Sequence, residues 1–169
     1  MSDTSYLVAR LGKTVFVRSV GLANMKNAPM LDAFLREEVV QGALHVCVDL
    51  SACSGMDSTF MGLLVGFSQE LTQVQGRLVV VNPTPQNFKL LDMLGVSEVL
   101  PVIAQVQPAD LEFVVIPVNP TISPGQRLEI VKRAHQHLVG LNEANAAKFS
   151  AFLAALEKDL VKHRGQAHG

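Results

Sequence analysis

Two short runs rich in β-branched and apolar residues constrain this chain more than any other feature. They are Leu44-His45-Val46-Cys47-Val48-Asp49-Leu50 and Leu78-Val79-Val80-Val81. Nearly continuous apolar character over so few residues predicts central strands covered on both faces. Helical spacing flanks them. Residues 27–41 place Met30, Leu31, Phe34, Leu35 and Val39 on one face, with Asn27 as a cap, Pro29 in the first turn and Gly42 as the stop. Residues 58–74 carry Phe60, Met61, Leu63, Leu64, Val65, Phe67 and Leu71 up to Gly76. Residues 86–94 form a short helix ending at Gly95, and 98–103 a last small strand. Upstream, 5–10 and 14–20 read as a β-hairpin turning at Gly12-Lys13. The order ββαβαβαβ implies a mixed, largely parallel sheet with helical cover, in the α/β class, closing near residue 107.

The character changes after that point. Residues 108–122 hold Pro108, Pro117 and Pro120 around an apolar run, and suit a linker or an extra edge strand. Residues 123–169 read as a helical hairpin, with helices over 124–139 and 143–163 and Asn142 capping the second. Phe149, Phe152, Leu153, Leu156 and Leu160 form an apolar stripe, opposite Lys148, Lys158, Asp159 and Lys162. Such a stripe packs within the chain or pairs two copies in a homodimer.

Composition removes several function classes. Apolar residues are 49% and charged residues 17%, enough for a packed core. The net charge of -1 offers no general attraction to nucleic acid or an anionic membrane. With no Trp and one Tyr, a base-stacking surface is poorly supplied. The longest apolar stretches fall far short of the roughly 20 residues of a membrane helix. The first residues show no secretory pattern. Cys47 and Cys53 make no disulfide framework and fit a reducing compartment, so a soluble cytoplasmic protein is expected.

The chemistry-bearing stretch is Asp49-Leu50-Ser51-Ala52-Cys53-Ser54-Gly55-Met56-Asp57-Ser58-Thr59-Phe60-Met61-Gly62. A strand gives way to a polar loop, and Asp57-Ser58-Thr59 opens a helix. A helix start leaves N–H groups unpaired and carries partial positive charge, so it can host a phosphate. Asp57 and Ser58 also suit simple capping. This stretch resembles the signature of the STAS domain: a strand ending Asp-Leu-Ser, a loop, then Asp-Ser-Ser/Thr-Gly-Leu-Gly and an apolar helix. Asp49-Leu50-Ser51, Asp57-Ser58-Thr59 and Gly62 match it over a module of about residues 5–107. Phe60 stands in place of the first glycine, where it either fills a gap meant for a partner or turns into the core.

The resemblance implies an anti-sigma factor antagonist. Ser58 would be phosphorylated by an anti-sigma factor with serine kinase activity, Thr59 being the less expected acceptor. Asp57, Ser58, Thr59, Met61 and Gly62 would form the partner-binding surface. A constitutive scaffold or dimerisation module, and a small-ligand or lipid-sensing STAS protein, stand as alternatives. No G-x-x-x-x-G-K-[ST] loop, G-x-G-x-x-G or Ser-His-Asp arrangement is evident, so no catalytic residue and no cofactor are expected. His135 and His137, two apart on a helix, point to different faces, and no metal is assigned. Cys47 reads as core, Cys53 as an ordinary loop residue, and His45 as flanking a strand.

Overall fold

The computed structural model describes residues 4–116 and 122–168; Pro117 and Pro120 of the expected linker lie outside them. Strands β1 (Ser5–Leu11) and β2 (Thr14–Ala23) form the expected hairpin. Gly12 takes the left-handed φ of +61° that this tight turn requires. The chain continues through α1 (Ala28–Val40), β3 (His45–Asp49), β4 (Cys53–Met56), α2 (Ser58–Gln73) and β5 (Arg77–Val81). Then come α3 (Pro85–Met93), α4 (Val96–Val99), β6 (Val102–Ile103), β7 (Val114–Val115), α5 (Pro124–Val139) and α6 (Glu143–His168). The sheet order is β6-β5-β3-β2-β1-β7, with β4 paired to the far end of β2. Pairings among β2, β3, β4, β5 and β6 are parallel, whereas β1 runs antiparallel to β2 and β7. The class is α/β, a mixed seven-stranded sheet with helices and a C-terminal helical pair.

Three expectations need correction. The loop after β3 is not wholly irregular, because Cys53–Met56 forms β4 beside β2, past a register shift at Gly21/Leu22. The residues expected as a strand over 98–103 divide into a helical turn, α4, and a two-residue strand, β6. Asn27 sits at the cap of α1 without a side-chain cap bond; it accepts from Tyr6 Oη and from the Asn24 N–H, and donates to Leu22 O. Its polar atoms are committed to the loop instead.

The double cover expected of β3 is also asymmetric. Leu31 and Leu35 of α1, Leu64 and Phe67 of α2, and Leu91 of α3 share one core with Val46, Val48, Leu78 and Val80. The other face, with Ala9, Phe16, Cys47 and Val81, is covered by Leu111 and Phe113 from an extended segment. There Arg18 stacks over Phe113 at 4.3 Å and lies 3.6 Å from Asp49. Cys47 is core, as expected, while Cys53 is buried at the start of β4.

The chain from α2 passes under β3 at Gly76, where a Cβ would lie 1.9 Å from Leu44 O. Backbone occupies that space, so relief requires the strand to shift. Gly76→Ala is expected to cost about 1–3 kcal/mol, read as a lower urea midpoint at unchanged slope.

Candidate functional site

The mouth of α2 is assembled from three segments that the sheet brings together. β2 ends at Ala23, and its carbonyl accepts the Asp57 N–H at 3.0 Å. Asp57 then caps α2, with Oδ1 accepting from Phe60 N at 3.0 Å and Oδ2 accepting from Met25 N at 2.9 Å. Both carboxylate oxygens are therefore engaged in fixing the helix start to the 24–27 loop. Asp49, by contrast, pairs with Arg18 and accepts from Ser51 N, so the two carboxylates serve separate places.

Ser58 is the first residue of α2, as the sequence predicts, and is half-buried rather than fully open. Its Oγ lies 2.8 Å from His135 Nε2 of α5. His135 Nδ1 lies 2.8 Å from Val131 O, which can only accept, so the neutral ring carries its proton on Nδ1. Nε2 is then the acceptor and the Ser58 hydroxyl donates. Burial holds the His135 pKa below the usual histidine value, opposed by Val131 O and the Asp57 charge. The ring contacts Phe149 edge-on at 5.1 Å and Phe152 at 4.6 Å. A serine hydroxyl donating to a neutral imidazole gains nucleophilic character.

The other expected site residues lie deeper. Thr59 is 2% and Met61 3% exposed. Gly62 lies against α5, where a Cβ would meet Ala134 O at 2.1 Å. Phe60, in place of the family's first glycine, turns into the core, fully buried with its ring 6.4 Å from that of Tyr6. It therefore fills no gap on the outer surface.

Sequence reasoning weighed His135 only as a metal ligand and found no partner at helical spacing. The signal it lacked is that His135 shares an inward stripe with Ile130, Val131, Ala134 and Leu138. A polar ring in such a stripe requires a polar partner across the interface. Arg127 and Asn145 were missed too. Arg127 Nη1 donates to Met25 O at 3.1 Å and Lys26 O at 2.8 Å, and Asn145 Nδ2 donates to Leu94 O and Leu138 O. His137 points elsewhere, toward Gly66. Among the described residues, no group of three or more His, Cys, Asp or Glu side chains could hold a metal ion. No described helix is long and apolar enough to cross a membrane.

The family model for the STAS domain matches residues 7–109. An anti-sigma F factor antagonist of Lysinibacillus sphaericus is 29% identical over 86 residues, 50% of this chain and 74% of the relative. An anti-sigma-B factor antagonist of Listeria monocytogenes is 32% identical over 73 residues, 43% of this chain and 64% of the relative, just under two thirds of its length. The unphosphorylated form of the anti-sigma factor antagonist SpoIIAA superimposes with a TM-score of 0.54 at 25% identity. That match covers 58% of this chain and 87% of SpoIIAA. The phosphorylated form of the Bacillus protein gives 0.50, also at 25% identity, covering 58% and 90%.

Two outcomes follow from the geometry. Asp57→Ala removes a cap and a loop anchor together, and is expected to lower stability by about 1–2 kcal/mol in a denaturant titration. The depressed His135 pKa means that the unfolded chain binds the proton first as pH falls below about 6.5, so stability present above that pH is lost on acidification. His135→Gln is expected to flatten the slope of melting temperature against pH between about 7 and 5. An unchanged slope would show that this ring does not govern it.

Proposed function

Because this chain belongs to the STAS domain family, we propose that it is an anti-sigma factor antagonist whose binding is switched by phosphorylation of Ser58. The observation that carries this reading is the Ser58 hydroxyl at the first position of a capped, sixteen-residue helix, on the residues that resemble the family's switch motif. The partner is an anti-sigma factor with serine kinase activity, met in the cytoplasm. The module works by binding and not by catalysis.

Electrostatics supports a switch at this position. A phosphate adds about -1.5 to -2 charges at neutral pH. The N-terminal end of α2 tolerates that charge, since its dipole and unpaired N–H groups favour anions. Asp57 caps the helix through its own oxygens, so the phosphate does not replace the cap. The fold therefore survives while the mouth of α2 becomes strongly negative beside an existing carboxylate. A partner docked there is expelled by like charge and lost complementarity. The relative SpoIIAA has structures in both an unphosphorylated and a phosphorylated form, which agrees with a fold that endures the modification.

The test is capture from cells of the source organism with the tagged full chain, followed by phosphopeptide mass spectrometry. Wild type and Ser58→Ala are expected to retain a serine kinase of the anti-sigma type. Ser58→Asp should lose about tenfold or more of that affinity, equivalent to about 1.4 kcal/mol. Phosphate that persists on Ser58→Ala, or full kinase retention by Ser58→Asp, would refute the assignment.

A further inference from the structure

The face of α2 that carries Ser58 is already occupied by the chain's own α5. Glycines at 62 and 66 let this happen. A Cβ on Gly62 would meet the Ala134 backbone, and one on Gly66 would lie 2.7 Å from the His137 ring. The strip is shaped to admit a helix backbone at close range. Polar fasteners hold α5 there: Ser58 to His135, Arg127 to the Met25 and Lys26 carbonyls, and Arg133 to Asp32 at 3.5 Å.

The comparison with SpoIIAA gives this cover its meaning. The matched region uses 87% of that chain but only 58% of this one. The family match here ends at residue 109, before α5 begins. Both α5 and α6 therefore lie beyond the part of the chain that the family model matches.

We propose that α5 is an internal stand-in for the partner. It occupies the helix-docking strip of α2 in cis, and an external helix with a small side chain opposite Gly62 takes its place when the hairpin lifts. This rests on the reading of Ser58 as the switch, and adds that the switch is closed to kinase and partner alike until α5 leaves. A phosphate at Ser58 also opposes closure. Ser58 Oγ lies 2.8 Å from His135 Nε2, and a phosphoryl group on that oxygen needs the space that the ring fills. The partner's apparent affinity is accordingly reduced by the fraction of open chain.

Hydrogen exchange by mass spectrometry on the full chain at pH 7 tests the cover with no kinase or partner present. Three forms are compared: wild type, Ser58→Asp, and Ala134→Leu, which places bulk on the hairpin side of the Gly62 contact. Amides of α5 and α2 are expected to exchange about tenfold faster in both variants, with β3 and β5 as protected as in wild type. Unchanged or slower exchange in α5 would overturn the proposal. So would loss of β3 and β5 protection together with α5, since the hairpin would then belong to the single cooperative unit of the fold. Either failure leaves phosphorylation of Ser58 standing. Conversely, an unphosphorylated Ser58 in cells leaves the Ala134→Leu result intact.

Discussion

Helix α2 is apolar nearly all the way round, and the architecture answers that demand. Ten of its sixteen residues are buried, far more than one sheet face can cover. A helix of this kind needs neighbours on opposite sides. The parallel strands supply one, with Val46, Val48, Leu78 and Val80 in the same core as Phe60 and Leu64. Helix α5 supplies the other through Ile130, Val131, Ala134 and Leu138. The position of Ser58 follows: it begins a helix that lies between two layers, so its hydroxyl meets His135 of α5.

A continuous polar thread ties the layers together at that end. Burial pushes the Tyr6 phenol far above its ordinary pKa, so it stays protonated and donates to Asn27. Asn27 organises the 24–27 loop, Met25 N–H reaches Asp57, and Arg127 seizes the carbonyls of Met25 and Lys26. Strand β1, the loop, α2 and α5 thus share one set of hydrogen bonds. The Tyr6 and Asn24 bonds to Asn27 are partly buried, whereas those of Met25 and Arg127 lie at the exposed rim of the same loop.

Much of this was legible in the residues. The continuous apolar runs of β3 and β5, the stop signals at Gly42, Gly76 and Gly95, and the capping of α6 by Asn142 all reflect local physics, and the elements lie where that physics puts them. What failed was short or long-range. Cys53-Ser54-Gly55-Met56 has no alternation to mark it as a strand; it is one because β2 extends past β3 and offers an unpaired edge. Glu98 and Val99, expected to open the last strand, close a helical turn that follows the left-handed Gly95. The match of α2 with α5 depends on glycines and a histidine that lie far apart in the chain. Their pairing is set by tertiary packing, which no local window contains.

The latch joins residues 77 positions apart. Synthesis proceeds at roughly 5–20 residues per second, so about 4–15 s separate the making of the serine from the making of its imidazole acceptor. Every newly made copy therefore begins its life uncovered on the ribosome. For those seconds the Ser58 hydroxyl has no imidazole to receive the hydrogen bond that it makes in the finished molecule.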